Sequence, residues 1–472
     1  MRFRPILTNN SQSLPMFSKR ILPFIILLAI ISVVLFYVLR GQDVVFHAHK
    51  TAGLDIETWQ TDNGARVYYV SAPQLPMVDI RVVFNAGSAR DGNKPGLAHL
   101  TNTLLADGAG DWDTNQIVSR FDSVGAQFST TAKRDMAVVS LRSLTDKDWF
   151  NTALTTMAAI LQKPMFQQSE LARERQRTLV ALRNQQESPD ALAQLAFYKA
   201  LYRGQPYATP SLGTKDSVSA LNRQDVMDFY KKYYVADNAI IVIVGDVDKA
   251  GARHIARELL GPLPKGDAAP ALPRVKALDK ADTIKIQHPS TQTTIWVGQP
   301  GETRTDPDYF PLYVGNHILG GSGFSSRILQ EIRVKRGLAY SAYSYFFPMA
   351  SQGPFVMGLQ TKNGQAKEAL GLLMKTLKDF MAKGPTREEL EDAKKNITGG
   401  FPLRLDSNRK ITEYVAMLGF YQLPLDYLKT FNKKIEKVTR AQIVDAFRRR
   451  IHPDKMLTVM VGDFDSHAAP AK

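Results

Sequence analysis

The sequence predicts an α+β protein of mixed α/β layers, built twice from one unit. Three observations carry that expectation. Short runs with strand-like alternation are interleaved with amphipathic helical stretches instead of being gathered together. A helix–strand–turn stretch recurs without a gap, Leu221–Asp248 aligning on Val438–Asp465 at an offset of 217 residues, as from Gly245 to Gly462. Between the copies, residues 261–282 (GPLPKGDAAPALPRVKALDKAD) are rich in proline, glycine and alanine and read as a linker.

Taken in order, the chain begins with residues 1–20, which carry Arg2, Arg4, Lys19 and Arg20. Residues 21–39 (ILPFIILLAIISVVLFYVL) follow, an uncharged run of about the length a bilayer needs, and Arg40 closes it. The charge bias places the N-terminus in the cytoplasm and the rest outside. The expectation is a single-pass anchor in a bacterial inner membrane with the bulk of the chain in the periplasm. A cleaved signal peptide competes; its apolar core would be shorter, and only Ala48 offers a small residue for cleavage.

From Leu54 onward the first unit, 54–260, reads as strands at 66–70 and 78–84, a turn at 86–88, and a helix opening at Gly96. A helix over 114–124 stops at Gly125, and strands at 127–131 and 136–144 follow. Helices are expected over 147–161, 169–186, 191–202 and 222–234. The second unit occupies 283–465, with a tail at 466–472.

Composition narrows the chemistry. Hydrophobic residues at 44% and charged ones at 22% are globular values, and 472 residues suffice for two to four domains. With no cysteine, disulfides and thiolate metal sites are excluded. A net charge of +15 raises nucleic acid or anionic lipid as partners. The basic clusters Lys231-Lys232, Lys433-Lys434 and Arg448-Arg449-Arg450 are short, however, and sit in helix-like segments as solvated faces. No nucleic-acid motif accompanies them, and no nucleophile elbow, phosphate loop or dinucleotide fingerprint occurs.

Two stretches carry chemistry. Residues 95–107 read PGLAHLTNTLLAD, a glycine turn leading into an apolar helix with one histidine, His99. Residues 320–340 read GGSGFSSRILQEIRVKRGLAY, where the glycines free backbone amides for close approach of another chain. In that stretch Arg333 offers a fork of donors to carbonyls, and Tyr340 a phenol that can donate to a developing oxyanion.

Both stretches resemble the M16 (pitrilysin/insulinase-like, inverzincin) peptidase family, and the resemblance covers nearly all of 54–465. There the helix reads Gly-Leu-Ala-His-x-x-Glu-His; its histidines bind zinc and its glutamate activates water. Here His99 keeps the first place, while Asn102 stands for the glutamate and Thr103 for the second histidine. The third ligand of the family is a glutamate closing a stretch like Glu174–Ala181, and the matching residue is Ala181. An amide takes no proton from water near neutral pH, and a hydroxyl or methyl is no zinc ligand to speak of. Glu170, Glu174 and Glu187 could supply carboxylates from new positions, but their spacing does not favour it. No metal is therefore expected in this chain.

The second stretch resembles the family's C-terminal signature, in which Arg333 and Tyr340 match the chamber-lining pair that reaches toward the scissile peptide, while Gly320, Gly321, Ser322 and Gly323 are candidates for contact with extended peptide through their freed backbone amides. The resemblance implies two homologous M16/LuxS-like domains forming half a clam-shell. It further implies a non-zinc subunit that acts with a zinc-bearing homologue, the zinc residing in that partner, on extended peptide. Two other readings stay open: a non-enzymatic scaffold or peptide-binding subunit, and a metallopeptidase active on its own.

Overall fold

In the computed structural model residues 54–464 are described. The expected anchor at 21–39 and the tail at 466–472 lie outside them. Among the described residues no helix is long and apolar enough to cross a membrane.

Two sheets organise the chain. The first has the order β1-β2-β6-β3-β5-β4, built from β1 (Glu57–Gln60), β2 (Arg66–Ser71), β3 (Met77–Phe84), β4 (Gln127–Ala132), β5 (Ala137–Leu144) and β6 (Ala239–Gly245). The second has the order β7-β11-β8-β10-β9, from β7 (Asp282–Gln287), β8 (Gln292–Pro300), β9 (Ala339–Phe346), β10 (Pro354–Lys362) and β11 (Leu457–Gly462). In each, the strand of the repeat runs parallel to its outer neighbour and antiparallel to its inner one. The two orders therefore match strand for strand once β1 is set aside. The sequence did not mark β1, a short, half-buried ETWQ paired with β2 alone.

The helices of the first half are α1 (Leu97–Leu104), α2 (Thr114–Asp122), α3 (Lys147–Gln162), α4 (Gln168–Gln186), α5 (Pro189–Leu201), α6 (Lys215–Ala220), α7 (Arg223–Tyr233) and α8 (Lys249–Leu260). Those of the second are α9 (Tyr309–Asn316), α10 (Ala366–Lys383), α11 (Arg387–Gly400), α12 (Asn408–Phe420), α13 (Tyr427–Glu436) and α14 (Arg440–Arg450). The repeat read from the sequence is reproduced down to its caps. The helix α7 is opened by a capping box from Asn222 and Asp225, and α14 by one from Thr439 and Gln442, each 217 residues on.

The strand β6 is buried on both faces, which is why it reads as the unbroken apolar run IIVIV. In β6, Ile241 and Ile243 face the helices of their own half, while Ile240, Val242 and Val244 face the other way. That second face is covered by Ile411, Val415 and Ala416 of α12, a helix of the second half. The exchange is mutual: Ala193, Phe197 and Leu201 of α5 cover Trp296, Val356, Val459 and Val461 on the second sheet. Polar contacts fix both crossings. Trp296 donates to Asp190 at 2.9 Å, and Arg66 donates to the Gly419 carbonyl at 3.0 Å.

Residues 261–281, between α8 and β7, form no helix or strand. They are nonetheless docked, with Leu263 and Val275 buried and the Val275 amide donating to Gln352 at 2.9 Å. The basic run in α14 lies on the surface as expected, with Arg448 and Arg449 exposed, and it also makes ion pairs. Arg449 pairs with Asp308 at 2.7 Å, and Arg450 with Asp306 and Asp308 at 2.7 Å, so two of its cations clamp the start of α9.

Candidate functional site

The histidine helix begins at Gly96, whose φ of +93° is one a side chain would resist, and a Cβ there would meet the Leu212 carbonyl at 2.9 Å. The Asp91 carboxylate receives the Gly96 and Ala98 amides, both at 2.8 Å, and so satisfies donors that the helix start leaves open. Burial outweighs these bonds and pushes the Asp91 carboxyl up to about 7.

On α1 the family's zinc positions have found other work. Asn102, 1% exposed, donates to the Tyr234 hydroxyl at 3.2 Å. Thr103 donates to the His99 carbonyl at 3.0 Å, a bond within its own helix. Ala181 presents a methyl group from α4. His99 is half-buried, and burial holds its imidazole below the usual range against the opposing pull of Glu174. It is therefore neutral near pH 7.

The carboxylates nearby are tied to arginines. Glu174 is buried and accepts from Arg177 at 2.5 Å, while Arg173 lies between Glu174, Glu170 and Asp107, bonding the last at 2.9 Å. Burial pushes Asp107 up to about 6. Glu187 caps the end of α4 and is exposed. An imidazole, an amide, a hydroxyl and a methyl do not make a zinc site. Among the described residues no group of three or more histidine, aspartate or glutamate side chains could hold a metal.

The second stretch is built from short helical turns. A π-helical turn over His317–Gly321 leads to a short turn over Gly323–Ser325, and a further π-helical turn over Gln330–Val334 carries Arg333. Gly320 is buried, and the place a Cβ would take is filled by Ser344 of β9, whose amide nitrogen would stand 2.4 Å away. Its smallness thus serves this chain's own packing, and the backbone offered outward belongs to Gly321, Ser322 and Gly323, the last exposed at φ +63°.

Arg333 and Tyr340 are brought together. Arg333 donates to the Tyr340 carbonyl at 3.0 Å and its guanidinium carbon lies 4.2 Å from that ring and 4.7 Å from the Phe324 ring. Tyr340 is 80% exposed and Phe324 62%, so the stack stands on the surface. It also opens β9, one of the two edge strands of its sheet, as β4 is one of the two edges of the other. Outer strands leave a row of backbone donors and acceptors unpaired, the ordinary means of adding an extended peptide.

A different constellation escaped the sequence. Asp135, in the turn between β4 and β5, accepts from Tyr207 at 2.5 Å, Tyr421 at 2.9 Å and the Ala350 amide at 2.9 Å. It joins both halves beside a cavity of about 560 Å³. Neither His99 nor Arg333 nor Tyr340 lines that cavity. Its partners lie 72 to 286 residues from Asp135 along the chain, a separation at which no local pattern forms.

Comparison with known proteins is consistent along the whole described chain. Residues 66–215 match the family model of insulinase (peptidase family M16), and residues 220–397 match that of the peptidase M16 inactive domain. A Helicobacter pylori protein designated a non-peptidase homologue, YmxG, is 30% identical over 397 residues, spanning 82% of this chain and 90% of its own. An uncharacterized zinc protease of Rickettsia bellii is 28% identical over 395 residues, 82% of this chain and 93% of the relative. The crystal structure of a peptidase M16 inactive domain from Pseudomonas fluorescens superposes with a TM-score of 0.84 at 38% identity, over 87% of this chain and 98% of that one. With its twofold-repeated α/β architecture and its histidine helix stripped of zinc ligands, this chain belongs to peptidase family M16.

Proposed function

We propose that this chain is the non-zinc, complementing subunit of a membrane-tethered M16 peptidase, and that it has no peptidase activity alone. The observation that carries the reading is an asymmetry. The first half offers Asn102, Thr103 and Ala181 where a zinc site needs ligands and a base, and Asn102 and Thr103 are bonded elsewhere. The second half keeps Arg333 stacked on an exposed Tyr340 at the head of an edge strand. Such a pair has a use only if a scissile peptide and a metal-bearing homologue come to it. The partner supplies zinc, this chain closes the chamber and holds extended peptide along β9, and Arg333 and Tyr340 donate to the carbonyl under attack. The apolar run at 21–39 anchors the pair outside the bacterial inner membrane.

The test is paired. Zinc content and cleavage of an unstructured peptide are measured for the full chain alone and mixed with a zinc-helix homologue. The reading expects neither metal nor cleavage alone, cleavage in the mixture, and a loss of about 10²-fold for Arg333→Ala or Tyr340→Phe. Stoichiometric zinc with activity in the isolated chain would refute it. The designation of the H. pylori relative as a non-peptidase homologue favours a second reading, a scaffold or peptide-binding subunit. On that reading the same substitutions leave every measured property of the assembly unchanged.

A further inference from the structure

The cavity between the halves holds a buried carboxyl with no hydrogen-bond partner. It is a half-open cleft lined by α9, α12 and α13, by the β4–β5 turn and by the segment joining β9 to β10. Glu302, on the loop after β8, lines it and is 2% exposed, yet neither carboxylate oxygen accepts a hydrogen bond. Leaving an acid so placed costs free energy that the fold would shed if a neighbour could pair with it.

The neighbours are committed elsewhere. Arg450 is bonded to Asp306 and Asp308, and Arg449 to Asp308 and Asp445. Arg134 donates to the Tyr207 and Thr209 carbonyls and lies 3.7 Å from the Tyr198 ring. Arg304 turns toward Tyr309 and Tyr421, its guanidinium 5.9 Å and 5.6 Å from their rings, and its Nε is itself unpartnered. Asp135 is saturated by its three donors, and Glu413 is bonded to Arg81 at 3.1 Å. The rest of the lining is largely aromatic, with Tyr309, Tyr313, Phe346, Tyr421 and Tyr427, together with two further cations, Lys133 and Arg404, the latter with its guanidinium 6.0 Å from the Tyr313 ring.

A buried carboxyl at one wall and ring faces on the others make the surroundings that an organic cation seeks. We propose that this cavity is a binding site for a small ammonium ion on an aromatic or branched apolar body, with Glu302 as its anchor. The volume, about 560 Å³, is that of a small-molecule site. The ammonium donates to the two free oxygens, the body packs on the tyrosine and phenylalanine rings, and an acceptor on the ligand would meet Arg304 Nε. The inference stands apart from the complementing-subunit reading, because the cavity shares no residue with the His99 helix or the Arg333–Tyr340 stack.

Burial, with Asp306 and Asp308 adding to it and Arg304 and Arg450 opposing, pushes the Glu302 carboxyl up to about 9. An arriving ammonium favours the ionised form, so binding releases a proton and tightens as pH rises from 7 toward 9. The test uses the full chain and three probes of one shape: 2-phenylethylamine, 3-phenylpropionate and 2-phenylethanol, followed by calorimetry. The amine should bind at least tenfold more tightly than the acid or the alcohol, with proton release, and Glu302→Gln should remove that preference. A second variant, Met349→Trp, crowds the cavity without touching Glu302 and should also abolish binding. Absence of amine binding, equal binding of the acid, or wild-type affinity in either variant would overturn the proposal.

Discussion

Asp135 lies in a turn that the sequence reads as a simple break between two strands, yet its carboxylate accepts from both tyrosines and an amide across the halves. Replacing it with alanine leaves two buried hydroxyls and an amide unpaired, and about 2–4 kcal/mol of stability should be lost in denaturant unfolding. Glu302 gives a pH signature. The folded protein keeps its proton up to about pH 9, whereas an unfolded chain loses it near pH ~4.3. Its contribution to stability is therefore full below the unfolded value and is lost as pH rises toward 9. Melting temperatures followed from pH 5 to 9 should fall less steeply in Glu302→Gln than in the wild type. At this scale the sequence names Asn102, Thr103 and Ala181 as poor zinc ligands, because ligand chemistry is a property of the side chain alone. It was silent on what they do instead, since Tyr234 lies 132 residues from the Asn102 it engages.

Strands and helices were legible wherever periodicity is imposed by one buried face. The helix at α2 stops beside Gly125, and the capping boxes at α7 and α14 stand where serine, threonine or asparagine precede an apolar run. The GGSG stretch was not legible, because glycine signals freedom of the backbone and not the use made of it. Its residues coil into helical turns, and Gly320 yields its space to Ser344. Gly419 is a similar case on α12: a Cβ there would meet the Tyr68 ring at 2.6 Å and Ile240 at 3.0 Å, so the helix lies close on the first sheet. Gly419→Val should destabilise the protein by about 1–3 kcal/mol through overpacking, measured by thermal or denaturant unfolding. Gly96→Ala, which forces φ +93° on a side chain, should cost about 1–3 kcal/mol and loosen the His99 helix, visible as faster amide exchange over α1.

The duplication was read from one gap-free repeat, and the matching strand orders extend it to the whole molecule. The mutual covering of sheets by α5 and α12 could not be read, because an amphipathic pattern says that a face is buried and not by which half. This exchange makes a prediction about the connection at 261–281. A protease site placed between Asp267 and Ala268, both exposed, should give two fragments that still elute together and melt within a few degrees of the intact protein. Either fragment expressed alone should aggregate, since its sheet lacks a cover and its donated helix lacks a seat.

The same exchange fixes how the protein can come to be folded. A lone half is a molecule with a debt of apolar surface at two places, which only another half can settle. Two separate copies would have to find each other, at a rate set by their concentration. Joined by some twenty residues, each meets its counterpart at an effective concentration in the millimolar range. The docked connection thus turns assembly into a first-order event, and a freshly made chain completes its core at the same speed however dilute the cell keeps it.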